Sequence, residues 1–201
     1  MKRLSLFAIA GLLMVAGNAT AEEPKPKDKP AGPITLTVVS KKEKYTFDGG
    51  GKTAKEYKES LEALAKKLDK GELATPPKPL AVDFTLVLTN TSKEAVTAYV
   101  GGDSNVYTFE LTGGAGAVNM GNPVAFTADF RLPKAVTIEA GKTYEIPVKV
   151  FADGNRGFSR LVFWTGPGEY KLVAKYTLAD KDGGKAAELV SEPAKIIVAD
   201  K

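Results

Sequence analysis

Neither histidine nor cysteine occurs anywhere in the 201-residue chain. The first absence excludes a Ser-His-Asp triad, and the second excludes a thiol nucleophile, a disulfide and a lipid anchor on cysteine. Together they remove the usual ligand sets for zinc, copper, haem and iron–sulfur clusters, so no metal and no cofactor is expected. Arginine is scarce as well: beyond Arg3 it occurs only as Arg131, Arg156 and Arg160. With 28 basic residues against 24 acidic ones the charge is close to balance. A nucleic-acid face needs clustered Lys and Arg with aromatics between them, so no nucleic-acid partner is expected. Long apolar runs are also missing. The longest, residues 4–16, falls short of the roughly 20 residues that a membrane-spanning helix needs, so stable membrane insertion of the mature chain is not expected.

What is present begins with a leader. Lys2-Arg3, the apolar run and Ala19-Thr20-Ala21 ahead of Glu22-Glu23 have the three-part layout of a secretory signal peptide, with small residues at the −3 and −1 positions. Residues 1–21 are therefore expected to be removed after Ala21, placing the mature chain in the periplasm or outside the cell. Residues 22–33, EEPKPKDKPAGP, carry prolines among charges and bury nothing, which predicts an extended flexible tether. The remainder, 34–201, is long enough for one core that needs no disulfide.

Its dominant pattern has period two. Ile34/Leu36/Val38, Val82/Phe84/Leu86/Leu88, Val96/Ala98/Val100, Tyr107/Phe109/Leu111, Val124/Phe126/Ala128/Phe130, Tyr144/Ile146/Val148/Val150, Tyr170/Leu172/Ala174/Tyr176/Leu178 and Ile196/Val198 each put one apolar row on one strand face. Sheets with one wet face are antiparallel and stack in pairs. Gly- and Asn-rich turns such as Gly101-Gly102-Asp103, Gly113-Gly114 and Asp182-Gly183-Gly184 separate the rows. Pro147 lacks an N–H and predicts an edge strand. One segment breaks the rhythm: in residues 53–70, TAKEYKESLEALAKKLDK, a stripe of Tyr57, Leu61, Leu64 and Leu68 follows a Thr53/Glu56 capping box and stops at Gly71. An amphipathic helix is expected there, packed on the sandwich edge or closing one end of the core. The fold class that results is an all-β, immunoglobulin-like antiparallel β-sandwich with one inserted helix.

Few segments suggest chemistry. The run DGGGKT at 48–53 has a phosphate-loop look, but the Walker pattern needs Gly where Thr46 stands, and a turn into a capped helix is expected. Asp180, Asp182 and Gly183-Gly184 resemble part of a calcium loop, yet the twelfth position is Ser191, so a polar hairpin turn is expected. No acid sits at a spacing that acid–base catalysis requires, and no catalytic residue is assigned. The richest stretch for recognition is 151–170, where Arg156, Arg160 and the single Trp164 lie close together; Arg and Trp are over-represented at binding hot spots. Asp103, on the turn 101–105, is a second candidate contact. For the strand holding Arg160 and Trp164, Leu161 and Phe163 are expected to face the core and Arg160, Val162 and Trp164 the other side.

The stretches DFTLVLTN with Thr91-Ser92 after it, VTIEAGKTYEIPV, and PGEYKLVAKY resemble secreted bacterial immunoglobulin-like domains, in particular the BsuPI-type domain of intracellular proteinase inhibitors. The resemblance covers about residues 80–178 and rests on short turn motifs; the helix at 53–70 and the leader lie outside that pattern. It implies that Tyr170 forms a tyrosine corner, its hydroxyl bonded to nearby backbone. It also implies proteinase inhibition, with an extended loop occupying a protease cleft by strand addition. The residues themselves point to an exported, non-catalytic interaction or structural module that contacts an envelope protein or glycan through sandwich-end loops.

Overall fold

The computed structural model describes residues 32–122, 129–154 and 159–201. In chain order they form β1 (Ile34–Ser40), β2 (Tyr45–Phe47), α1 (Ala54–Asp69), β3 (Ala81–Asn90), β4 (Val96–Val100), β5 (Tyr107–Gly113), β6 (Ala117–Asn122), β7 (Lys134–Ile138), β8 (Thr143–Val150), β9 (Ala152–Gly154), β10 (Ser159–Trp164), β11 (Gly168–Ala179), β12 (Lys185–Val190) and β13 (Ala194–Asp200). The all-β sandwich with one inserted helix is the fold observed.

The smaller sheet has the order β1-β3-β8. Leu36 lies opposite Leu88, and Val38 and Ile146 lie opposite Leu86, so the alternating rows of three strands coincide on one face. β8 is an edge, where the missing N–H of Pro147 interrupts no ladder. The larger sheet runs β2-β13-β11-β5-β9-β10-β6, with β12 and β4 also pairing β11 and β7 pairing β4. The orders β1-β3-β8 and β13-β11-β5 are those of the A-B-E and G-F-C strands of an immunoglobulin-like sandwich. Residues 41–44 carry the chain from one sheet to the other, so β1 pairs β3 whereas β2 pairs β13 in parallel.

β11 is the spine of the larger sheet. Its inward row Tyr170, Leu172, Ala174, Tyr176 and Leu178 is buried throughout. β5 covers one side of it, while β13 covers the first part of the other side and β12 the second. The register slips by one residue between β12 and β13, where Pro193 breaks the strand. There the Ser191 hydroxyl accepts from the Ala174 N–H at 2.9 Å and fills the gap in the ladder.

The main core is aromatic. Phe151, where the chain passes from β8 to β9, lies with its ring 5.3 Å from Phe84, 5.6 Å from Phe109 and 5.7 Å from Trp164. Tyr45 joins the same group, 5.3 Å from Trp164 and 5.5 Å from Phe84. The contacts of Phe84 with Phe151 and Tyr45 and of Phe109 with Phe151 are edge-on, an arrangement that aromatic quadrupoles favour, and the two with Trp164 are tilted.

A second, smaller core lies on the other face of β6 and β10. Leu61 of α1 is buried there with Val118, Met120, Leu161 and Phe163, and Tyr57, Leu64 and Leu68 pack around them. The helix has the expected cap: the Thr53 hydroxyl accepts from the Glu56 N–H at 3.3 Å and the Glu56 carboxylate accepts from the Thr53 N–H at 2.9 Å. It covers a sheet face, not an edge or an end. This corrects the facing of β10: Val162 and Trp164 enter the main core, and Leu161 and Phe163 face the helix. A strand buried on both faces shows no alternation, so its two sides cannot be told apart from hydrophobicity alone. The expected row at 124–130 lies outside the described residues except for Phe130, which is in irregular backbone and 58% exposed.

Candidate functional site

Where β10 turns toward β11, the backbone is held by a corner of hydrogen bonds. Tyr170 donates its hydroxyl to the Gly166 carbonyl at 2.7 Å and accepts from the Ala115 N–H at 3.2 Å. The Thr165 hydroxyl reaches the Ala115 and Gly116 carbonyls at 2.8 and 2.9 Å. Burial raises the Tyr170 phenol above its usual range. Gly114 lies against the ring at φ +50°, where an added Cβ would stand 2.3 Å from two of the Tyr170 ring carbons. This is the tyrosine corner that the resemblance implied, and it fixes the exit of β10.

The predicted recognition residues separate. Trp164 is 3% exposed, at the centre of the aromatic core. Its indole is therefore a packing element and is not presented to a partner. Asp103 accepts from the Arg131 backbone N–H at 2.9 Å and from its Nε at 3.3 Å, and its own N–H donates to the Arg131 carbonyl at 2.9 Å. It ties the turn after β4 to the segment before β7. Arg156 lies outside the described residues.

Arg160 is the one that reaches a concave surface. Its Nε and Nη2 donate to the two oxygens of Asp153 at 2.9 and 2.7 Å, a bidentate pair across the β9–β10 hairpin. The hairpin register places the two residues directly opposite each other. Asp153 also accepts from the Phe109 N–H at 2.7 Å, so its carboxylate ties β9 to β5 as well. The Asp153 side chain is 0% exposed and that of Arg160 33%. Hydrogen bonding to Asp153 raises the Arg160 guanidinium further above its already high range.

β9 pairs β5 through a single residue pair, Tyr107 with Gly154. Beyond that contact β5 and the β6–β10 pair bound an open cleft of about 630 Å³, lined among others by Thr108, Glu110, Asn119, Asp153, Arg160 and Lys175. Lys175 stands 3.6 Å from Glu110 across the β5–β11 ladder, so among the described residues the charged side chains of the cleft fall into two opposite-charge pairs. A second concavity of about 460 Å³ runs beside α1 and is lined by its Tyr57, Leu61 and Leu64 with Pro77.

Asp153, Asn119, Thr108, Glu110 and Lys175 were not singled out by the sequence. Asp153 reads as half of an Asp-Gly turn, and the others are ordinary polar members of alternating strands. The opposite charges of Asp153 and Arg160 across a hairpin were the only signal available. The two loops that tempted as ligand sites are turns. Asp48 accepts from the Gly50 N–H at 3.0 Å ahead of the α1 cap, and Asp180 accepts from the N–H groups of Asp182 and Gly184 at 2.9 and 2.8 Å. Among the described residues no group of three or more acidic side chains is placed to hold a metal ion, and no helix is long and apolar enough to cross a membrane.

No family model matches the chain, and no curated protein or solved structure matches it significantly. What the fold and the cleft define is a class, an immunoglobulin-like β-sandwich with an open cleft of mixed polar and apolar lining beside its β9–β10 hairpin.

Proposed function

We propose that the chain is an exported, non-catalytic interaction module of the cell envelope, and that its contact site is the cleft beside Arg160. One observation carries this reading: a guanidinium on a concave surface is locked in place by a fully buried carboxylate. Two of its five N–H groups go to Asp153, so three remain to donate to an incoming acceptor. Fixing a long side chain before binding removes part of the entropy that binding would otherwise cost. The leader pattern in the sequence supports export; residues 1–31, with the leader and most of the expected tether, lie outside the described residues.

The test is capture of envelope components by the purified protein, compared with an Asn119→Ala/Lys175→Ala variant. Both substituted side chains lie on the cleft wall and neither belongs to the core. A saturable partner retained by the parent protein and lost by a variant of unchanged melting temperature is the expected result. Equal retention by both proteins refutes the site. Intact mass of the exported protein checks the leader, with Glu22 expected as the first residue and Met1 contradicting cleavage.

A further inference from the structure

The chemistry of the cleft wall says what kind of partner it fits. We infer that the occupant is an uncharged oligosaccharide; this rests on the cleft being the contact site. Among the described residues the wall carries Arg160 with Asp153 and Lys175 with Glu110, so each of these cations has its own anion and they leave no net charge to attract an ion of either sign. An incoming carboxylate or phosphate would gain from Arg160 and Lys175 and lose against Asp153 and Glu110. An incoming ammonium group would meet the reverse.

A hydroxyl escapes this cancellation because it donates and accepts at once. The wall offers both functions side by side. Arg160 and Lys175 donate, Glu110 accepts, and Thr108 and the exposed Asn119 do both. A chain of neighbouring hydroxyls can satisfy such a surface, and no group with only donors or only acceptors can. Val106, at the same wall, supplies an apolar contact for the C–H face of a sugar ring. The volume of about 630 Å³ falls within the roughly 300–1,000 Å³ of small-molecule sites. The opening to solvent suits a segment of a longer polymer that enters and leaves the cleft.

The experiment titrates the ¹⁵N-labelled protein with neutral trisaccharides of glucose, mannose, galactose and N-acetylglucosamine in α and β linkages, and in parallel with trigalacturonate and an acidic tripeptide. Amide shifts of Thr108, Asn119 and Gly154 report the cleft. The expected result is saturable shifts there with at least one neutral trisaccharide, weakened at least tenfold in Asn119→Ala and in Glu110→Gln at unchanged melting temperature. Trigalacturonate and the peptide are expected to bind at least tenfold more weakly. Preferential binding of trigalacturonate or the peptide at these amides overturns the inference. So does the absence of any saccharide-induced shift in a protein whose envelope capture still depends on Asn119 and Lys175, and that outcome leaves the contact site standing. Loss of cleft dependence in both assays overturns the site and the inference together.

Discussion

Removing the Arg160 side chain is the most direct challenge to this account of the cleft. Asp153 has a fully buried carboxylate with three donors, at 2.9 and 2.7 Å from Arg160 and 2.7 Å from the Phe109 N–H. In Arg160→Ala one backbone donor remains. Breaking a buried pair in this way costs about 3–5 kcal/mol. Arg160 is itself one-third exposed, on a cleft open to water, so the orphaned carboxylate is partly rehydrated and the expected loss falls to about 2–3 kcal/mol. For a domain of this size that lowers the melting temperature by about 5–10 °C. The double variant Arg160→Met/Asp153→Leu removes both charges and leaves no orphan. It is expected to be less destabilised than the sum of its single changes by about 1.5 kcal/mol or more. Urea unfolding followed by the fluorescence of Trp164 measures this, since the single tryptophan is buried between Tyr45 and Phe151. A loss below about 0.5 kcal/mol in Arg160→Ala, or strict additivity in the cycle, would show an ordinary surface ion pair. The rigid wall of the cleft would then have no basis.

Three further outcomes follow from other parts of the molecule. Tyr170→Phe leaves the Gly166 carbonyl and the Ala115 N–H without their partner and is expected to cost about 1–3 kcal/mol by the same unfolding assay; a loss under about 0.5 kcal/mol would refute the corner's role. Leu61→Ala empties the one fully buried position of α1 and is expected to cost about 2–5 kcal/mol, with hydrogen-exchange protection falling more in α1 than in β3; uniform loss would contradict a separate second core. Stability is expected to be flat between about pH 5 and 9, since no histidine titrates in that window. Below it, Glu56, Asp48 and Asp83 have carboxyls held below their usual 4.5 and 3.8 by bonds from the Thr53 backbone, Lys201 and Lys149. Their contribution is complete above those usual values and is lost as the pH falls through the lowered ones. Above the plateau, burial raises the phenols of Tyr57, Tyr107, Tyr170 and Tyr176 over the usual 10.0. What they contribute is present below that value and lost as the pH rises through the raised ones. Melting temperatures across pH, with tyrosinate absorbance on the alkaline side, check both limbs, and a transition inside the plateau would contradict them.

Much of the fold was legible because period two and turn chemistry agreed with each other. The rows of β1, β3, β11 and β13 are buried as written, those of β4 and β5 apart from the half-buried Val96 and Tyr107, and the capping box of α1 marked its start to the residue. Tertiary context hid the rest. β12 reads Lys-Ala-Ala-Glu-Leu-Val, a composition that favours helix, and becomes strand because the Asp180 turn returns it along β11. β6 and β9 are short and weakly patterned, and β9 exists by pairing with β10. The site was less legible still. Trp164 was marked for the surface by its residue type, and the core claimed it because its row also faces Phe151 and Tyr45. Asp153 passed as a turn residue, since nothing local shows that its carboxylate is caught between a guanidinium and the N–H of a strand far earlier in the chain.

The parallel pairing of β2 with β13 sets a schedule as well as a shape. Residues 45–47 are made early, and the strand that binds them, 194–200, is drawn from the far end of the domain. Until that strand emerges, β2 lacks its partner and the first half of β11 lacks one of its two. Closure of the larger sheet therefore waits until residues 194–200 have been made. The delay comes from the order of strands alone, since the first and last strands of the sheet's parallel pair bracket nearly the whole domain.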